Sequence, residues 1–121
     1  MKYSFKDIQY NEDDRAQRYL NVFPHLEGQL NVSYVNSTDY WCCIKGSFKV
    51  GLATDDGEVR WEYLSEKTQR VLEIPPGIYH GYKALEPGSI LMYHLTHKYN
   101  PEDEIRAKIG VFGEKWEKEN K

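Results

Sequence analysis

A period of two in the apolar positions runs through most of the middle of this chain, and it predicts strands. Leu30-Asn31-Val32-Ser33-Tyr34-Val35 alternates cleanly, and Asn36-Ser37-Thr38-Asp39 after it reads as a turn cluster. Tyr40-Trp41-Cys42-Cys43-Ile44 is a mostly apolar, buried run broken by Lys45-Gly46-Ser47. Phe48, Val50 and Leu52 then alternate as the returning half of a hairpin. Asp55-Asp56-Gly57 predicts a tight hairpin turn, because these residues tolerate positive φ, and Val59, Trp61 and Tyr63 alternate beyond it.

Arg70-Val71-Leu72-Glu73-Ile74 is a short strand ended by Pro75-Pro76-Gly77, since proline cannot donate to a ladder. Tyr79 to Leu85 resumes the pattern and Glu86-Pro87-Gly88 turns it. Ser89 to His97 predicts one long strand, with Leu91, Tyr93, Leu95 and His97 on one face and Ile90, Met92, His94 and Thr96 on the other. Asn100-Pro101-Glu102-Asp103-Glu104 has the cap and first-turn proline of a helix start, which places a short helical segment or tail over 100–121. Residues 1–19 read as a polar arm or an edge strand, with an acidic cluster at Glu12-Asp13-Asp14. Short strands punctuated every about eight to twelve residues predict a sandwich or barrel, here as one domain over 1–121.

Composition narrows the class. In 121 residues, 40% hydrophobic and 29% charged is a globular balance, and a net charge of −3 provides no general attraction to nucleic acid or to anionic membranes. No apolar run is long enough to span a membrane, and the opening Met1–Asp7 lacks the apolar core of a signal peptide. Ten tyrosines stand beside three tryptophans and four phenylalanines, residues that suit half-buried strands and also line ligand pockets. Cys42 and Cys43 are adjacent, so on a strand they face opposite ways and are poorly placed to pair; free thiols fit a reducing cytoplasm.

Pro75-Pro76-Gly77-Ile78-Tyr79-His80 matches the second cupin motif, Pro-x-Gly-x-x-His. Together with Gly81-Tyr82 and the run Leu91 to Glu104, it resembles the C-terminal half of the dTDP-4-dehydrorhamnose 3,5-epimerases, which carry Ile-Pro-x-Gly-Phe-x-His-Gly-Phe and then Tyr-Lys-x-Thr-x-x-Tyr-x-Pro-x-x-Glu. Order and spacing agree over about residues 40–105. Cys43 to Val50 resembles the family's strand-Gly-strand segment; Asp14-Arg15 and Gln29-Leu30-Asn31-Val32-Ser33 faintly resemble its N-terminal motifs. The resemblance implies an all-β cupin fold, a double-stranded β-helix or jelly-roll barrel, that acts on a dTDP-4-keto-6-deoxyhexose in polysaccharide synthesis, without a cofactor and as a homodimer. The chain also departs from the family. The Arg-Gly-x-His strand that carries the family's base is missing between Ser33 and Asp39, the family lysine falls at Asp39, and Ala107-Lys108-Ile109-Gly110 stands where the base's aspartate partner is expected.

Epimerisation beside a ketone needs a base, a donor to the enolate oxygen and an acid on the opposite face. Tyr93 is matched to the family's catalytic tyrosine and suits the acid, its reference pKa of ~10 keeping it protonated at neutral pH. The alternative is a core tyrosine bonded to backbone. His80 matches a pocket position, or else stabilises its turn. His97, predicted on the Tyr93 face, is a candidate substitute base, while His94 faces the other way and His25 sits in a loop. Arg70 and Lys83 suit a diphosphate, and Trp41 and Tyr82 suit a base or sugar, each with an ordinary packing or solvated alternative. No His-x-His and glutamate set accompanies His80, so metal-free chemistry is expected. Three functions are compatible with these residues: an epimerase or isomerase, a cupin that holds a sugar nucleotide without catalysis, and a structural protein that pairs through exposed edges.

Overall fold

The computed structural model describes residues 1–7, 17–20, 28–97 and 100–116. In chain order its strands are β1 (Ser4–Asp7), β2 (Gln17–Leu20), β3 (Val32–Tyr34), β4 (Asp39–Lys45), β5 (Ser47–Ala53), β6 (Val59–Ser65), β7 (Arg70–Ile74), β8 (Tyr79–Ala84), β9 (Ile90–Leu95) and β10 (Glu104–Arg106). They form two five-stranded sheets, β1-β7-β4-β9-β2 and β10-β3-β8-β5-β6, with every pairing antiparallel. From β3 to β10 the chain changes sheets at each connection except the β5–β6 hairpin. That alternation is the double-stranded β-helix of a cupin-type jelly roll, which the resemblance implies; the Pro-Gly punctuation alone predicts only a sandwich or barrel. Among the described residues no helix is long and apolar enough to cross a membrane.

The core lies between the sheets. Trp41, Cys43, Leu72, Ile74, Leu91, Tyr93 and Leu95 fill it from the first sheet; Val32, Tyr34, Phe48, Val50, Leu52 and Leu64 fill it from the second. These positions keep the period of two within each strand, which is why the alternation was legible. Cys42 is buried on the other face of β4, and both thiols are free.

Three local readings differ from expectation. β4 and β5 are not a hairpin: β4 pairs with β7 and β9, and β5 with β6 and β8. Gly46, at φ 78°, turns the chain from one sheet into the other. A side chain there would also strike Ser89, whose Oγ lies 2.1 Å from the position a Cβ would take. Alternation reveals which residues point inward but not which sheet they belong to, so a corner and a hairpin look alike in sequence. Second, β9 ends at Leu95, so Thr96 and His97 lie beyond the strand. Third, the C-terminal helix is absent from residues 100–116. Asn100 does cap a turn, accepting the N–H of Glu102 at 3.0 Å, but the turn is a single 3-10 element, Pro101–Asp103. The chain then extends into β10, where pairing with β3 satisfies the backbone that a helix would have satisfied internally. Beyond β10, Gly110 and Gly113, both at positive φ, turn the chain twice more.

Residues 107–116 cover the outer face of the second sheet. Ala107, Phe112 and Trp116 pack on Leu30, Ala53 and Tyr79, and Trp116 meets Trp61 edge-on at 5.0 Å between ring centroids. β1 forms one edge of the first sheet. The acidic cluster Glu12-Asp13-Asp14, Asp14-Arg15, His25, Lys98-Tyr99 and residues 117–121 lie outside the described residues.

The two seams of the sandwich matter for the site. Tyr3, just before β1, donates its hydroxyl to Glu62 on β6 at 2.6 Å, which brings the β1 and β6 edges together. The remaining edges, β2 of the first sheet and β10 of the second, therefore share the opposite side of the sandwich.

Candidate active site

β8 begins immediately after the Pro75-Pro76-Gly77-Ile78 bend, and that bend sets the direction of His80. The imidazole points inward, 1% exposed. Its Nδ1 lies 2.9 Å from the Ile78 carbonyl oxygen, and its Nε2 lies 3.4 Å from Oδ2 of Asp39, which is 0% exposed. A carbonyl can only accept, so Nδ1 is the donor, and Nε2 is the nitrogen turned to the carboxylate. Both ring nitrogens are thus engaged inside the protein.

Aromatic rings enclose this pair. Trp41 meets His80 edge-on at 5.3 Å, and Tyr34 lies tilted at 5.7 Å from it. Trp41 is in register with Tyr93, and Asp39 with Leu95. Directly opposed residues of an antiparallel pair share a face, so Asp39 and Tyr93 are diagonal neighbours on the inner surface of the first sheet. Tyr93 is 1% exposed. Tyr82 extends the group toward β5, with its ring 6.2 Å from Trp41 and 5.8 Å from Phe48.

Tyr93, His80, Trp41 and Tyr82, four of the predicted site residues, therefore stand in one interior. The other three stand elsewhere. Arg70 lies at the β1 seam with its guanidinium 3.8 Å above the Phe5 ring and a hydrogen bond of 3.0 Å to the Tyr63 carbonyl. Lys83 is in register with Lys49, on the outward face of the second sheet. His97 is exposed beyond β9, its Nδ1 3.1 Å from Thr96 Oγ1. His94 faces away from the interior and meets Tyr40 edge-on at 5.8 Å.

Two carboxylates in this region were given no role from sequence, although Glu104 closes the Pro-x-x-Glu match. Asp39 looked like the end of a polar turn. The only available signal was its displacement of a family lysine just before an apolar run. Glu104 sat inside a predicted helix start, yet it belongs to β10 and stands in register with the inward-facing Tyr34. Its side chain is 6% exposed, and its Oε2 lies 3.0 Å from Nη2 of Arg106, which is 48% exposed. Burial also pushes the thiols of Cys42 and Cys43 above their ordinary pKa, so both are held protonated, with Cys43 donating to the carbonyls of Lys45 and Gly46.

The sequence pattern of the dTDP-4-dehydrorhamnose 3,5-epimerase family matches residues 53–117. A probable low-salt glycan biosynthesis epimerase, Agl13, of Haloferax volcanii is 31% identical over 117 residues, a span of 84% of this chain and 69% of that protein. The chain belongs to the dTDP-4-dehydrorhamnose 3,5-epimerase family. Its fold recurs in QdtA, a sugar 3,4-ketoisomerase of Thermoanaerobacterium thermosaccharolyticum solved in complex with TDP. There the TM-score is 0.68 at 17% identity, covering 87% of this chain and 88% of that one. It recurs also in the dTDP-4-dehydrorhamnose 3,5-epimerase of Elizabethkingia anophelis, with TM-score 0.68 at 17% identity over 86% of this chain and 62% of that one. The matched residues include His80, Tyr82, Tyr93 and Glu104, while Asp39 lies before them.

Proposed function

We propose that the chain is an isomerase of nucleotide-linked keto-deoxysugars. It would remove and return a proton beside the ketone of a dTDP-4-keto-6-deoxyhexose, in the synthesis of a polysaccharide. The observation that carries this reading is the placement of Tyr93. The tyrosine matched to the family's proton donor faces the interior, across from Trp41 and diagonal to Asp39, on the strand next to the β2 edge. Family membership and a solved relative of the same fold that holds TDP support the substrate class.

In this reading the ketone lowers the acidity barrier at its neighbouring carbon. A carboxylate takes that proton, and the Tyr93 hydroxyl supplies one to the opposite face of the ring. Trp41 and Tyr82 offer flat apolar faces to the sugar or the base. The working unit is a single cupin domain over 1–121 in the cytoplasm, where buried free thiols at Cys42 and Cys43 are stable. It acts as a homodimer. Exposed Ile105, Ile109 and Val111, on and beyond the edge strand β10, and Val35 beside it favour pairing.

The test is exchange of solvent deuterium into dTDP-4-keto-6-deoxyglucose, monitored by proton NMR. Loss of a ring-proton signal next to the carbonyl is expected. A thermal shift with dTDP and no exchange at any ring carbon would instead make the chain a sugar-nucleotide holder.

A further inference from the structure

Resting on that reading, the reaction needs a group that accepts the ring proton, and among the described residues His80 is the one histidine that faces the interior. His80 does not accept that proton, because Nδ1 is bound to Ile78 and Nε2 faces Asp39. Asp39 turns Oδ2 toward His80 and is 0% exposed in the middle of the sandwich.

Glu104 is differently placed. Arg106 holds its Oε2 at 3.0 Å, while Oε1 is buried and meets no hydrogen-bond donor among the described residues. A buried carboxylate oxygen without a donor is costly, so its presence calls for a physical reason. β10 sets its direction: Glu104 is in register with Tyr34 and shares its inward face, and Arg106, two residues on, shares it too. β10 is the edge of the second sheet, and β9 stands next to the edge of the first at the same seam. Glu104 thus faces the interior from the second sheet and Tyr93 from the first, on the same side of the sandwich. An acid and a base on opposite sides of the ring are what inversion at one carbon requires.

We infer that Glu104 is the catalytic base, with Oε1 as the accepting atom. The carboxylate takes the proton from the carbon next to the ketone; the C–H electron pair forms the enolate double bond, and the ketone oxygen takes the negative charge. Tyr93 then gives its hydroxyl proton to the opposite face of that carbon as the enolate collapses back to the ketone. Glu104 is left as the acid and Tyr93 as the phenolate, and exchange with solvent restores both.

The experiment compares the wild-type chain with Glu104→Gln, Glu104→Asp and Asp39→Asn for solvent-deuterium exchange into dTDP-4-keto-6-deoxyglucose, with dTDP thermal shift as the check on folding and binding. Exchange by the wild type, a loss of about 10²–10⁴-fold in Glu104→Gln with the dTDP shift kept, and partial recovery in Glu104→Asp are expected. Wild-type exchange that persists unchanged in Glu104→Gln, or that Asp39→Asn abolishes while Glu104→Gln does not, overturns this assignment and leaves the isomerase reading standing. Absence of exchange in the wild type overturns both. If Glu104→Gln fails to fold, the pH profile of Glu104→Asp decides: a changed acidic limb supports the assignment, and an unchanged one overturns it.

Discussion

Asp39 and His80 meet across the two sheets, Oδ2 to Nε2 at 3.4 Å, with neither side chain reaching solvent. The contact joins β4, in the centre of the first sheet, to β8, in the centre of the second. Removing one member of a buried polar pair leaves the other without its partner. Asp39→Ala should therefore cost about 1–3 kcal/mol of unfolding free energy, and His80→Ala at least as much, since it also empties ring volume from the core. The double variant should lose less than the sum. Urea denaturation of the four proteins measures this, and simple additivity would show that the two side chains do not act as a pair.

Tyr93 is the proton donor of the proposed reaction, so Tyr93→Phe should separate chemistry from stability. Exchange into the keto sugar should fall about 10²–10⁴-fold. The change in unfolding free energy should stay near about 1 kcal/mol, the net worth of one buried hydroxyl bond. Kinetics and urea denaturation on the same preparation give both values; a large stability loss with normal turnover would assign Tyr93 to the core alone.

The Tyr3–Glu62 contact closes the β1–β6 seam, and it carries a pH signature. Desolvation, then the hydrogen bond and charge of Glu62, push the Tyr3 phenol up to about 12 from its ordinary 10.0. A group whose pKa is raised on folding contributes stability that is complete below the unfolded value and is lost as pH climbs through the folded one. Stability should thus decline between pH 10 and about 12, and Tyr3→Phe should flatten that part of the curve. Denaturation midpoints across this range test the point, and equal slopes in the two proteins would contradict it.

Gly81, on β8 between His80 and Tyr82, is a packing glycine. A Cβ there would lie 2.1 Å from the Gln29 carbonyl oxygen. Backbone cannot yield as a flexible side chain does, so Gly81→Ala should displace residues 28–30 and cost about 1–3 kcal/mol. Thermal unfolding checks the size of the loss.

The architecture was legible because strand alternation and Pro-Gly turns are local signals, and they marked the strands β3, β5, β7, β8 and β9 and the two faces of β9. What escaped was decided by distant pairing. Asp39 reads as turn because its polarity is visible in sequence and its partner, His80, is 41 positions away. The Asn100 cap forms as predicted, but pairing of β10 with β3 overrides the helix it would start, and this hides Glu104 as a strand residue facing inward. His97 shares the parity of Tyr93, yet parity has meaning only while the strand continues, and β9 stops at Leu95.

A crystal structure of the chain with a dTDP-4-keto-6-deoxyhexose bound tests the account most directly. The prediction is a sugar ring between the sheets on the side of the β2 and β10 edges, with a carbon beside the ketone within about 3–3.5 Å of the Tyr93 hydroxyl on one side and of Glu104 Oε1 on the other. A nucleotide sugar seated instead on the outer face of the second sheet, against Trp61 and Trp116, would contradict it.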